Sequence, residues 1–489
     1  MVSPPNHAIR DTLDSVFRLF VQKRMNQSTE LAALFARMRA AQERTPSPDW
    51  HERVRRLRAL EALLQENRQA ITDAIDEDFG KRPPEETALL EYFPTLTEIR
   101  HLIRHGRRWL RPKRQMASFW FLPARTELRP QPAGVVGIIT PWNYPLYLAT
   151  GPLANALVAG NHVLVKMSEY APRFAQLFAD LVERYFPAEE VRVVTGGADV
   201  AKAFSALPFD HLLFTGSTVV GREVMRTAAA NLTPVTLELG GKSPAIIGPG
   251  ARTDNAIERI LMGKSYNAGQ TCIAPDYVLL PRKLEQEFIE RAKKRFRSLY
   301  PDFANNRQYA NIINERHFTR LAHLRDQAIS AGAHMHSLAG QEGQGRHLAP
   351  AIFTEVDPGC DLMQEEIFGP WLPLVTYEDF DEALDFVASR PSPLALYLFE
   401  EDAERKKQTL DQCPAGGVTF NDTLFHIAQP HLPFGGVGPS GMGAYHGESG
   451  FRLFSRMTPI FHQSRFNGTS LLNPPYEGRF KWLLKQLIR

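Results

Sequence analysis

The stretch GVVGIITPWNYPLYLATGPLANALVAGNHVLVK, residues 134–166, decides the fold. Gly134-Val-Val-Gly-Ile-Ile-Thr140 is a short apolar run rich in β-branched residues, which reads as a buried strand rather than a helix. Pro141-Trp-Asn-Tyr-Pro145 forces a turn, a helix runs on to Gly160, and His162-Val-Leu-Val-Lys166 is a second strand of the same kind. The alternation continues with helix 171–186, strand 191–195, helix 199–206, strand 211–215, helix 218–230 and strand 235–239. Short apolar strands alternating with helices give parallel βαβ units and an open, doubly wound sheet of Rossmann type. Such sheets bind ligands beyond the carboxyl ends of their strands.

Working outward, residues 29–112 read as helices. Leu31, Leu34, Phe35 and Met38 recur at helical spacing, as do Val54, Leu57, Leu60, Leu63 and Leu64, and again Leu89, Leu90, Phe93, Leu96 and Ile99. Arginine and glutamate fill the other faces, which suggests a solvated helical layer. The aromatic stretch 116–130 is too short for a domain and suits a hairpin arm that buries itself on another subunit. A second α/β series, with strands expected at 245–248, 277–280, 371–377 and 394–399, forms a separate domain. The expected division is an extension 1–28, a nucleotide domain 29–239 with 116–132 in the oligomerisation arm, a catalytic domain 240–415, and a returning segment 416–489. That last segment opens on strand 417–421, passes through a glycine-rich loop 433–446 and finishes in a basic amphipathic helix.

The chain has 489 residues, 43% hydrophobic and 23% charged, the balance of a globular protein with ample core. A net charge of +3 gives no field that would select nucleic acid. Cys272, Cys360 and Cys413 are too few and too scattered for a disulfide framework or a zinc site, and no metal is expected. They fit a reducing, cytoplasmic setting. No apolar run reaches the length that spans a membrane, and no secretory signal is recognisable. Residues 8–24 mix apolar and basic groups, but Asp11 and Asp14 argue against a transit peptide.

The chemistry concentrates in ELGGKSPAIIGPGARTDNAIERILMGKSYNAGQTC, residues 238–272. Glu238 closes an apolar strand and Cys272 sits in a polar turn; a thiol and a carboxyl base brought together by folding can run two-step acyl chemistry. Each also has a plainer reading. A lone cysteine is most often a small buried apolar residue, a strand-end glutamate can be a cap, and Asn143 between two prolines is a common turn asparagine. No G-x-G-x-x-G follows the first strand; Gly216-Ser-Thr-Val-Val-Gly221 instead opens a helix after strand 211–215, where backbone N–H groups can receive a phosphate.

Five stretches in order resemble the aldehyde dehydrogenase superfamily: Thr140-Pro-Trp-Asn-Tyr-Pro145, Phe214-Thr-Gly-Ser-Thr218, Leu237-Glu-Leu-Gly-Gly-Lys-Ser-Pro244, Gly269-Gln-Thr-Cys272 and Glu365-Glu-Ile-Phe-Gly-Pro370. The resemblance covers about residues 50–460. The tail Pro433–His446 is similar to the class-three branch, and within it the chain looks most like bacterial coniferyl aldehyde dehydrogenases. The resemblance implies Cys272 as nucleophile, Glu238 as general base, and Asn143 with the Cys272 amide as the oxyanion site. It implies NAD, with NADP possible, held by Lys166 and Glu169 at the adenosine ribose, by Gly216, Ser217 and Gly221 at the pyrophosphate, and by Glu366 and Phe368 at the nicotinamide ribose. Thr140 and Trp142 flank the same pocket, Trp142 with packing as its ordinary use. A carboxylate at Glu169 favours NAD, since it would repel a 2′-phosphate. Expected partners are a small-molecule aldehyde and a second copy of the chain. Coniferyl aldehyde is the expected substrate and a medium- or long-chain aliphatic aldehyde the alternative; transfer to coenzyme A and a catalytically silent scaffold are less favoured. The glycines of 433–446 would make a loop pliable enough to close over substrate, and His446 reads as a solvated or capping residue.

Overall fold

The structure, a computed structural model, describes residues 29–474 and 476–488; the 1–28 extension, with its 8–24 segment, lies outside the described residues. Six strands form one sheet in the order Gly441–Met442, Val235–Glu238, His211–Thr215, Val135–Ile139, His162–Lys166, Val191–Val194. The last five are parallel to one another. Three of them are buried at every position, as a strand covered on both faces must be. Helix Tyr147–Ala159 crosses between the first two, has all its residues buried, and ends on Gly160 in the left-handed conformation, φ 93°. It has no polar face because the sheet lies on one side and helices Phe93–Trp109 and Gly447–Leu453 on the other.

The second sheet has seven strands in the order His334–Ser337, Ala351–Thr354, Trp371–Tyr377, Tyr277–Pro281, Pro244–Ile247, Ala395–Phe399, Gly417–Phe420. All are parallel except the edge strand His334–Ser337. Gly417–Phe420, assigned above to the returning segment, therefore belongs to this sheet, because it hydrogen-bonds alongside Ala395–Phe399. The chain returns to the first sheet only at Gly441–Met442, which pairs antiparallel with Leu237 and Glu238. That pairing also corrects the expectation of a pliable loop. Gly441 (φ 149°) lies so close to the Leu237 carbonyl that a Cβ there would collide with it, and a Cβ on Gly436 would strike the Ser440 carbonyl. Close backbone approach, not mobility, explains these glycines.

A third, three-stranded antiparallel sheet joins Lys113–Gln115, Arg125–Pro132 and Ser455–His462. Between the first two strands, Met116, Phe119, Trp120, Phe121 and Leu122 stand exposed, with Phe461 beside Phe121. The helical layer of residues 29–112 differs most from its sequence reading. Leu31, Leu57, Leu60, Leu63 and Leu64 pack inward as expected, but Arg53, Arg56, Arg82, Glu86, Glu91 and Glu98 are buried as well. A π-helical turn at Ala88–Tyr92 shifts the helical register. It turns Leu89 and Phe93 to solvent and carries Glu91 into the interior.

Helix Tyr147–Ala159 should tolerate cavities poorly. Leu157→Ala is expected to cost about 2–5 kcal/mol and to lower the urea midpoint without changing the spectrum of the folded state; a shift within error of zero would contradict the packing described.

Candidate active site

Four parallel strands bring the candidate residues to one end of the first sheet. Ile139 pairs with Lys166 and with Phe214, and Thr215 pairs with Glu238, so the carboxyl ends of all four strands lie side by side. Thr140, Trp142 and Asn143 leave the first end, and Lys166 with Glu169 leaves the second. Gly216, Ser217 and Gly221 leave the third, and Glu238 closes the fourth. Lys166 is buried and donates from Nζ to Glu169 at 3.2 Å, while desolvation lowers its pKa. Ser217 caps helix Thr218–Ala229, its hydroxyl accepting from the Val220 amide at 3.4 Å. Gly216 and Gly221 leave no room for a Cβ against Phe214 and Leu239. Thr140 is less available than its position suggested, because its hydroxyl donates to the Lys166 carbonyl at 3.3 Å.

Cys272 arrives from the second sheet, after helix Thr253–Ser265. The turn before it runs through Asn267, Ala268 and Gly269 with φ of 52°, 53° and 75°, three consecutive left-handed residues. Such backbone costs roughly 1–2 kcal/mol per non-glycine residue and needs outside support. Glu86 accepts from the Asn267 amide at 2.9 Å, and the Asn267 side chain donates to the Asn143 carbonyl at 3.0 Å and the Gln270 carbonyl at 3.2 Å. The Gln270 side chain donates to Asn267 and Asn311 carbonyls and accepts from the Ile313 amide. Gly269 packs on the carbonyl of Gly369, where a side chain would collide. Asn143 donates from Nδ2 to the Gln270 carbonyl at 3.1 Å, so its amide is aimed at the cysteine turn.

Behind Asn143 lies a group the sequence reading missed. Arg82 donates to the Asn143 carbonyl at 2.9 Å and pairs with Glu91 at 3.0 Å, both side chains fully buried. Glu91 also accepts from the Leu146 and Tyr147 amides. Arg82, Glu86 and Glu91 thus fix the turn Thr140–Leu146 against the cysteine turn. The signal lay in Glu86 and Glu91, acids five residues apart around the apolar run Ala88-Leu89-Leu90, which are costly to bury without partners.

Glu238 is buried, and neither carboxylate oxygen has a hydrogen-bond partner among the described residues. Burial alone raises its pKa well above the ordinary value. Glu366 lies against Gly240, two residues past Glu238, and Oε1 is likewise unpartnered; burial, then Asp276, pushes its pKa up to about 8. Phe368 follows with φ 49° and meets Trp142 edge-on at 5.4 Å. Asp276 ties the two loops, accepting from the Ile367 amide at 3.1 Å and from Lys242 at 2.5 Å. Cys272 keeps part of its surface open. Its thiol pKa is nonetheless pushed up, by burial first and then by the charges of Glu366 and Glu238, while the Cys272 and Ile273 amides act the other way. Cys360 and Cys413 are buried away from this cleft, Cys413 donating weakly to the Leu384 carbonyl. His446, read as solvated or capping, is instead buried and bonded to the Tyr147 hydroxyl at 3.1 Å.

Residues 19–460 match the family model described as "Aldehyde dehydrogenase family". The chain belongs to the aldehyde dehydrogenase family. It is 48% identical over 469 residues to a probable coniferyl aldehyde dehydrogenase of Pseudomonas aeruginosa, covering 96% of this chain and 98% of that one. It is 43% identical to a coniferyl aldehyde dehydrogenase of a Pseudomonas species, covering 94% and 96%. Among solved structures it resembles a substrate-bound state of Staphylococcus aureus AldH, with a TM-score of 0.87, 35% identity and coverage of 94% and 99%. The α/β architecture and the enzyme class expected from the five motifs are those of this aldehyde dehydrogenase. Among the described residues no helix is long and apolar enough to cross a membrane.

The support beneath the cysteine turn is titratable. Burial pushes the Glu86 pKa from 4.5 up to about 7, against the pull of Arg82 and the Asn267 amide. A value raised on folding contributes stability below the unfolded pKa, and that contribution is lost as pH rises through the folded one. The stability advantage of the wild type over Glu86→Gln should therefore shrink between about pH 5 and about pH 8 in urea unfolding. A pH-independent difference would contradict the burial of this carboxyl.

Proposed function

We propose that this aldehyde dehydrogenase oxidises coniferyl aldehyde to ferulate with NAD, through a thioester on Cys272 that Glu238 helps to hydrolyse. The observation that carries the reading is the convergence of a partly open thiol with two buried carboxyls, both oxygens of Glu238 and Oε1 of Glu366 lacking hydrogen-bond partners among the described residues. Groups buried at such cost without partners are characteristic of sites that receive a ligand or a water.

The residues fit a dinucleotide. Thr215 Oγ1 and Glu366 Oε1 are buried polar atoms without hydrogen-bond partners among the described residues, and Gly216 with Ser217 opens a helix whose first amides can receive a phosphate. Lys166 and Glu169 would hold the adenosine ribose, and Glu366 with Phe368 the nicotinamide ribose. NAD, when bound, supplies the acceptor for the two electrons that leave the aldehyde carbon.

The chain's own work is covalent and proton chemistry. The Cys272 sulfur forms a bond to the carbonyl carbon, and its proton leaves to Glu238 or water. The Asn143 amide and the Cys272 backbone N–H can donate to the oxygen as it gains charge, once Asn143 exchanges its bond to Gln270 for one to substrate. After oxidation the carbon is held as a thioester. Glu238 takes a proton from a water, which attacks that carbon; the C–S bond breaks and the acid leaves. A carboxyl of raised pKa is the stronger base for that step, though fewer molecules carry it ionised at neutral pH.

Coniferyl aldehyde as substrate is supported by the likeness to two proteins of that name, and by Tyr144, Tyr147 and Leu148, which cluster with Leu90 and Ile427 beside Thr271. In this reading residues 29–239 carry the nucleotide and the catalytic unit runs from 240 through Phe420. The exposed aromatics of 116–122 with Phe461 support a homodimer through the arm, and three unpaired thiols suit a reducing cytoplasm.

Turnover should climb as pH rises through the elevated Glu238 pKa, because the ionised form is the base. Glu238→Gln should lose that rise and, in rapid mixing, give an initial burst of NADH followed by a stall. A variant that keeps both the alkaline rise and full steady turnover would sink the assignment. Glu169→Ser should raise kcat/KM for NADP by about tenfold or more if the carboxylate repels a 2′-phosphate; an unchanged ratio to NAD would remove Glu169 from that role.

A further inference from the structure

A second cluster of ligating side chains lies away from Cys272. Helix Phe93–Trp109 carries His101 and His105 four residues apart, which puts both imidazoles on one face a turn apart. His431, from the segment that follows strand Gly417–Phe420, closes on them. The rings of His101 and His105 are 4.5 Å apart, those of His101 and His431 4.4 Å, and those of His105 and His431 5.7 Å. One ring nitrogen from each of the three lies within 4.8 Å of the others.

A second observation points to a ligand. Nε2 of His101 is buried and has no hydrogen-bond partner among the described residues. A buried imidazole nitrogen left bare is costly unless something fills the position. The nearest acid on the same helix is already engaged: Glu98 accepts from Asn155 at 3.0 Å and from the Gly447 amide at 2.8 Å.

We propose that His101, His105 and His431 form a binding site for a divalent first-row transition ion, with Zn2+ the leading candidate. Imidazole nitrogens suit zinc, copper and nickel, whereas calcium and magnesium need oxygen ligands. Three nitrogens at about 2.0–2.1 Å leave a fourth tetrahedral position. The ion draws the three nitrogens together by small side-chain rotations and brings Nε2 of His101 its missing partner. It also pins the segment bearing His431 to helix Phe93–Trp109. That segment includes Ile427, which packs against Tyr144, Tyr147 and Leu148. The site therefore clips the wall of the aldehyde side of the cleft and takes no part in the covalent chemistry.

The test uses the full-length, tag-free chain carrying Cys272→Ser, so that the reactive thiol does not compete for the metal. Isothermal titration with Zn2+ should show one ion per chain with a Kd below about 10 μM. His431→Ala and His105→Gln should each weaken it by about tenfold or more. Both variants should keep the parent's Tm in chelator and lose the rise in Tm that Zn2+ gives the parent, since the metal then stabilises only an intact site. Weaker binding in the parent, or affinity that survives both substitutions, would overturn the proposal.

Discussion

Three consecutive residues in the left-handed conformation, Asn267, Ala268 and Gly269, are the constraint on which the active site depends. Nothing local makes Asn-Ala-Gly prefer that backbone. It is held from three directions: by Glu86 from the helical layer, by the Asn143 carbonyl from the first sheet, and by Gly369 and Gln270's partners from the second. The turn can form only when those units have come together. Cys272 is presented to the cleft by the assembled fold rather than by its own sequence neighbourhood.

The same assembly explains the electrostatics. Glu238 ends a strand whose other side is covered by Gly441–Met442, so water reaches neither carboxylate oxygen from the rear. Glu366 stands close by on a loop tied down through Asp276 and Lys242. Glu238 and Glu366 shift upward mainly through burial, and the Cys272 thiol shifts upward through burial and then through the charges of those two carboxyls. Such desolvation makes an ionised carboxylate a stronger base than it would be in water.

Much of this was legible from the residues. Val135–Ile139, His162–Lys166 and His211–Thr215 are buried on both faces, so their uninterrupted apolar runs announced a parallel sheet, and their ends were placed within a residue or two. Ala351–Thr354 and His334–Ser337 passed unnoticed, the first being only four residues long after Pro350 and the second carrying two histidines at the sheet edge. Ser455–His462 alternates half-buried and exposed positions and owes its existence to pairing with Arg125–Pro132. The candidate residues Glu238, Cys272, Asn143 and Glu366 could be named from the sequence because motifs are local. Arg82, Glu86 and Glu91 were not, because their importance lies in what they touch across more than fifty residues of chain, and a π turn overrode the helical periodicity that hid them.

The proposed chemistry turns on one covalent bond, between the sulfur at 272 and the carbon of the aldehyde. Wild-type enzyme mixed with coniferyl aldehyde and NAD, quenched in acid during the first turnover and digested for mass spectrometry, reads that bond directly. The expected result is a feruloyl group on the peptide bearing Cys272 and none on those bearing Cys360 or Cys413. Ferulate formed with no acyl group at Cys272 at any quench time would contradict it.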